Sequence, residues 1–130
     1  LEEFNTKVPY IRLLATEASD KAKTTGVIRT IGGRALHFPQ EATGKYLFTH
    51  KGLNRLVQGS AADQMKQAMV DLDRELPEFY MQLQIHDEVD ASVPNEQVPQ
   101  TAAEIMSTCI PSTVPFRVDV ELGPSWGELK

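Results

Sequence analysis

Apolar residues recur along the chain at two periods, about 3.6 residues and about 2, and the switches between them mark the predicted elements. From Pro9 to Thr24, Ile11, Ala15, Ala18 and Ala22 fall on one stripe. Pro9 suits a first turn and Gly26 a stop, so a helix of about four turns is predicted. Val27 to Ile31 and Ala35 to Phe38 flank Gly32-Gly33, a dipeptide that tolerates the positive φ of a tight turn, which predicts a two-stranded ribbon. Gln40 to Lys45 is polar and holds Gly44, so it reads as a short loop.

From about His50 to Leu76 the apolar positions Val57, Ala61, Met65, Ala68, Leu72 and Leu76 return at helical spacing until Pro77, predicting a long amphipathic helix. Tyr80 to Ile85 then alternates Tyr80, Gln82 and Gln84 with Met81, Leu83 and Ile85. Val89 to Val93 forms a second short run, leaving His86, Asp87 and Glu88 between two strands. Asn95 can cap a helix whose stripe is Val98, Ala102, Ile105 and Cys109, closed by Pro111. Finally Phe116, Val118, Val120 and Leu122 alternate with Arg117, Asp119 and Glu121, the pattern of a half-buried strand. The order helix, hairpin, long helix, hairpin, helix, strand implies an α+β fold with helices packed on one face of an antiparallel sheet.

Composition narrows the classes. At 130 residues and 41% hydrophobic content, the chain fits one compact unit, and nothing in its size demands a second domain. No apolar run approaches the roughly 20 residues that cross a bilayer, and Leu1 opens without a basic-then-apolar leader, so a soluble, cytoplasmic chain is expected. The start also lacks an initiator Met, which suggests a piece of a longer polypeptide. Cys109 is the single cysteine, excluding an internal disulfide, and reads as a buried small hydrophobe. The net charge of -5 weighs against a protein that clings to nucleic acid through bulk electrostatics, although a fragment need not carry the positive groove itself.

The chemistry concentrates at His86-Asp87-Glu88, where two apolar strands meet and polar side chains can be held rigidly while the backbone stays paired. Adjacent carboxylates suit hard cations such as Mg²⁺, and phosphoryl transfer uses paired metals about 3.5–4 Å apart. One turn cannot hold both metals. A solvated turn that simply favours Asp is the other reading of the same residues. On the long helix, Asn54 and Gln58 are four apart and share a face, where amides can donate to the minor-groove acceptors common to every base pair. An ordinary wet helix face is the alternative.

Several separated stretches, in order, resemble family A DNA polymerases, the polymerase I class of bacteria and their phages. Leu83-Gln84-Ile85-His86-Asp87-Glu88-Val89 is similar to the family's third palm motif. Asn54 with Val57-Gln58-Gly59-Ser60-Ala61-Ala62-Asp63 resembles its Asn, then Gln-Gly-Thr/Ser-Ala-Ala-Asp helix. Gly33-Arg34-Ala35-Leu36-His37-Phe38-Pro39 is similar to its Gly-Arg-Arg-Leu-Tyr-Leu-Pro ribbon, and Val114-Pro115-Phe116 with Gly123-Pro124-Ser125-Trp126 to its terminal strand and ending. The likeness runs from about Lys7 to Trp126. It implies the C-terminal part of a palm domain with a palm-type antiparallel sheet. It also implies that Asp87 binds the two catalytic Mg²⁺ ions and that Glu88 supports the site. By the same resemblance, His86 and Gln84 lie near the primer terminus, and Asn54 and Gln58 contact the duplex. The implied partners are primer-template DNA, a deoxynucleoside triphosphate and the missing N-terminal part of the polymerase.

Three departures bear on that implication. His50 stands where many members have Arg, and Ala35 stands where a second Arg is usual. Asp90 replaces an apolar residue after the acidic turn, and a solvated carboxylate is expected there. The family's other catalytic Asp and its nucleotide-binding fingers helix precede the region matched here, so the chain alone is expected to bind Mg²⁺ poorly and to extend no primer. A metal-dependent phosphohydrolase would need a second His or Asp motif that the sequence lacks. A noncatalytic nucleic-acid-binding or assembly module is the remaining alternative.

Overall fold

The computed structural model describes residues 8–128, so Leu1 and Lys7 lie outside the described residues. Its elements are helix α1 (Pro9–Thr25), strands β1 (Val27–Arg29) and β2 (Ala35–His37), helix α2 (Gly52–Glu75), strands β3 (Tyr80–Ile85) and β4 (Glu88–Ser92), and helix α3 (Gln97–Thr108). Single 3₁₀ turns at Thr49–Lys51 and Trp126–Glu128 complete the list. This is the predicted α+β class, but the strands form two separate two-stranded ribbons rather than one sheet. The chain divides into two compact units, the first ending at Asp63 and the second beginning at Gln64, with α2 running from one into the other.

In the first unit, Ala18 and Ala22 on α1 are buried as the stripe requires, while Ile11 is exposed, as are Leu13 and Leu14. Gly26 ends α1 in the left-handed region at φ 68, where an L side chain is strained, and its N–H donates to Ala22 O at 2.9 Å. The ribbon follows at once, with Val27 opposite His37, Ile28 opposite Leu36 and Arg29 opposite Ala35. Its strands stop short of the predicted ends because Thr30 and Arg34 close the loop. Thr30 N–H donates to Arg34 O at 3.1 Å, and Gly33 N–H, at φ 82, donates to Thr30 O at 2.9 Å. Ala22, Ile28 and Phe38 form the core, with Leu36, Tyr46 and Leu56 packed against it.

The second unit is built on Met65, Ala68 and Leu72 of α2 and Ala102 and Met106 of α3. Met81 of β3 and Val89 of β4 pack against this cluster, so within this unit both helices cover the ribbon through one apolar core. A register shift between Met81 and Leu83 breaks the predicted strict alternation, and Leu83 is exposed as a result. Asn95 caps α3 as predicted, its Oδ1 accepting from Gln97 N–H at 2.9 Å and Val98 N–H at 3.3 Å. Cys109 is half-buried; burial, then the nearby Asp71 charge, pushes its thiol pKa up.

Two expectations are corrected. Val57 and Ala61 were placed on the covered stripe of α2, yet both are exposed, Val57 at 60%. The covered side of that half is Gly52, Leu56, Gly59 and Asp63, because α1 packs against Gly52 and the ribbon with its loop against Gly59, where small residues allow the approach. The segment from Phe116 to Leu122 is not a strand among the described residues, since a strand needs a ladder partner and none of them pairs with it. The alternation still decides burial. Phe116, Val118 and Val120 are half-buried between exposed Arg117, Asp119 and Glu121, and Val118 reaches the core of its unit.

Candidate functional site

The acidic tip is a two-residue turn. Ile85 pairs with Glu88, leaving His86 and Asp87 at the apex, and His86, Asp87 and Glu88 are all exposed. His86 has φ 53, a left-handed conformation that L residues other than Asn, Asp and His seldom adopt. Gln84 Nε2 donates to His86 O at 2.6 Å, so the glutamine side chain braces the apex from the strand below. The polar strand face predicted at Gln84 therefore has a structural use, and the same bond fixes where His86 turns. Holding a residue in this region costs about 1–2 kcal/mol, which marks the tip as set by its surroundings.

Asp90 departs from expectation. It is half-buried, and its Oδ2 is buried with no hydrogen-bond partner among the described residues. The shifted register sets Asp90 opposite Leu83. Val89, its neighbour, takes the core side.

Asn54 and Gln58 lie together on the exposed face of α2, with Asn54 Nδ2 3.5 Å from Gln58 Oε1. Val57, Ala61 and Ala62 share that exposure. The face thus presents two amides with apolar side chains beside them. Such a surface can lie along a groove without reading base identity.

The other face of the same helix half carries a clamp that sequence reasoning did not single out. Asp63 accepts from the Thr30 hydroxyl and, at 2.7 Å, from Arg34 Nε, while Arg34 Nη2 donates to Gly59 O at 2.9 Å. Ser60 Oγ accepts from Ile31 N–H at 3.0 Å. Burial works to raise the Asp63 pKa, but the Thr30 and Arg34 hydrogen bonds, the Arg34 charge and the Gly32 N–H outweigh it and hold the carboxyl below its ordinary value. Gly59 makes the approach possible, since a Cβ there would sit 2.8 Å from Thr30 Cγ2 and 3.0 Å from Leu36 Cδ1. The signal was present in the sequence as Gly59 and Asp63 one turn apart, and its partner Arg34 lay in a different motif.

Among the described residues no group of three or more His, Cys, Asp or Glu side chains is arranged to hold a metal ion. Asp87 and Glu88 fit a hard cation by donor type and by exposure, but as a partial ligand set. No described helix is long and apolar enough to cross a membrane.

The sequence profile of DNA polymerase family A matches residues 1–128. The chain belongs to that family. The family A relatives it resembles come from phage and bacteria. A DNA-directed DNA polymerase of Pseudomonas phage M6 is 46% identical over 127 residues, covering 98% of this chain and 19% of the phage protein. The thermostable DNA polymerase I of Thermus aquaticus is 33% identical over 135 residues, covering 97% of this chain and 16% of that enzyme. Among solved structures, the POL domain of Pol1 from M. smegmatis, in complex with DNA primer-template and dNTP, is similar with a TM-score of 0.84 at 28% identity. That likeness covers 96% of this chain and 24% of the other. The chain therefore spans about a quarter or less of the length of each of these three proteins.

Proposed function

We propose that this chain is the C-terminal part of the palm of a template-directed DNA polymerase, which adds a deoxynucleotide to a primer 3′ end once the rest of the polymerase is present. The observation that carries the reading is the braced tip, an exposed Asp87 held on a strained, hydrogen-bonded two-residue turn. Family membership and the M. smegmatis likeness support it.

In this reading Asp87 supplies a carboxylate to two Mg²⁺ ions, and Glu88 adds negative charge beside it. Bound Mg²⁺ would stabilise the entering and leaving oxygens of phosphoryl transfer. His86 and Gln84 sit beside the primer terminus, with Gln84 first of all holding the turn. Asn54 and Gln58 donate to minor-groove acceptors of the primer-template duplex, testing pair shape without reading sequence. The remaining ligands and the groups that bind the incoming deoxynucleoside triphosphate come from the N-terminal part, so the isolated chain is inactive.

Primer extension tests this directly. The complete parent polymerase should incorporate nucleotides, Asp87→Ala should lower the rate by a factor of about 10³ or more, and the 130-residue chain alone should incorporate none. An Asp87→Ala polymerase that extends primers near the parent rate ends the assignment. Asn54→Ala with Gln58→Ala should weaken duplex binding by about 1–3 kcal/mol, and unchanged duplex affinity would remove the helix face from the interface.

A further inference from the structure

The second unit carries a charge that it does not neutralise. From Gln64 to Lys130, twelve Asp and Glu residues stand against four Lys and Arg, whereas the rest of the chain has six against nine. Within this excess Asp90 is set apart by its place. It is the middle residue of β4, flanked by the half-buried Val89 and Ala91, in a type of element from which Asp is depleted. Asp87, Glu88 and Asp119 are exposed and meet water, but Asp90 is half-buried and its Oδ2 accepts no hydrogen bond among the described residues.

A carboxylate oxygen withdrawn from water without a donor is unfavourable, and native folds rarely leave one so. The ion pairs among the described residues do not relieve it. They join Lys23 to Asp20, Arg34 to Asp63, and Arg74 to Asp71 and Glu75, and none includes Asp90. Lys66 and Arg117, the other described cations of this unit, are exposed.

The surroundings of Asp90 are unfinished as well. The ribbon is two strands wide, and the outer edge of β4 has no partner among the described residues. Leu83, which stands opposite Asp90, is 48% exposed, and Tyr80 on the same strand is 62% exposed. An open strand edge, exposed apolar side chains and an acid without its counter-charge together make a surface that a further, basic segment of polypeptide completes. More than four-fifths of the phage M6 and T. aquaticus polymerases lies outside the matched region, so such a segment has a source.

We propose that Asp90 anchors the acidic hairpin to the N-terminal part of the polymerase, its Oδ2 accepting from a Lys or Arg side chain of that part. Asp90 follows Asp87 by three residues on the strand leaving the turn, so the pair fixes the base of the hairpin and thereby where the Asp87 carboxylate stands. Asp90 is a positioning residue, touching neither metal nor DNA. A buried charge pair adds little net stability but sets the register of two surfaces, since a shifted arrangement leaves both charges unpaired. The proposal rests on the polymerase reading above.

The test is steady-state primer extension by the complete parent polymerase. Asp90→Asn keeps the shape of the side chain and removes its charge. It should lower kcat about 10–100-fold, the scale of an ångström-sized misplacement of a reacting group, while the KM for deoxynucleoside triphosphate, the Kd for primer-template and the Mg²⁺ concentration at half-maximal rate stay at the parent values. Each Lys and Arg of the N-terminal part is then changed to Met, with and without Asp90→Asn. One of these changes should lower kcat by the same factor as Asp90→Asn, and the two together should lower it no further. A parent-like kcat in Asp90→Asn overturns the anchor, and so does a set of Met variants that all add in full to Asp90→Asn. A raised Mg²⁺ requirement in Asp90→Asn also overturns it, making the carboxylate a metal ligand instead. Asp87→Ala, run alongside, separates the two claims. Extension by Asp87→Ala at the parent rate ends the polymerase reading, whereas an inactive Asp87→Ala beside a parent-like Asp90→Asn removes the anchor alone.

Discussion

Asp63→Ala removes two acceptors from one clamp. The Thr30 hydroxyl donates to Asp63 from a residue only 6% exposed, so little water replaces the lost partner, and this bond to a charged group contributes about 1.5–2 kcal/mol. Thr30 Oγ1 keeps a longer contact with Arg34 O at 3.4 Å, which keeps the loss toward the lower end of that range. The Arg34 side chain is 43% exposed and regains solvation, so its ion pair adds about 0.5–1 kcal/mol. The expected loss is about 2–3 kcal/mol. In a urea titration followed by circular dichroism this lowers the midpoint by about 1–2 M. Asp63→Asn keeps an acceptor without the charge and should lose about half as much. The folded pKa of Asp63 is depressed, so its ionised contribution is present above the ordinary carboxylate value of 3.8 and fades as pH falls through the lower folded value. The gap between Asp63→Asn and the parent should therefore close below pH 3.8. An Asp63→Ala chain within about 0.5 kcal/mol of the parent at neutral pH would refute the clamp.

Three further outcomes follow from the packing. Gly59→Ala should destabilise by about 1 kcal/mol net, because crowding of Thr30 and Leu36, about 1–3 kcal/mol, exceeds the roughly 1 kcal/mol gain in helix propensity; a more stable variant in the same titration would contradict the close approach. Leu72→Ala, at a fully buried position, should cost about 2–5 kcal/mol in thermal or urea unfolding. His86→Gly should leave stability within about 1 kcal/mol of the parent, since relief of the left-handed strain offsets the added chain entropy, while primer extension by the complete polymerase falls; a large loss of stability would mean that the His86 side chain, not the turn, holds the tip.

Much of the candidate site was legible because its signals are local. The pairing that flanks Asp87, the helix that carries Asn54 and Gln58, and the Asn95 cap each depend on residues within a few positions of one another. Asp63 and Asp90 were not legible in the same way. Asp63 reaches Thr30 and Arg34 across a long stretch of chain. Asp90 stands opposite Leu83 after a register shift that alternation cannot foresee, and its buried Oδ2 depends on packing around the ribbon rather than on local pattern.

Period and punctuation by themselves determined where the helices and the two hairpins lie, and that an acid-bearing turn joins β3 to β4, because a helix or hairpin is written in contacts a few residues apart. Tertiary structure alone decided which side of α2 is covered near Gly59, leaving Val57 and Ala61 in solvent, since periodicity names a face but not what packs on it. It also decided that the alternation half-buries Phe116, Val118 and Val120 without forming a ladder and leaves Leu122 exposed, because a ladder requires a second strand and burial requires only a neighbouring core.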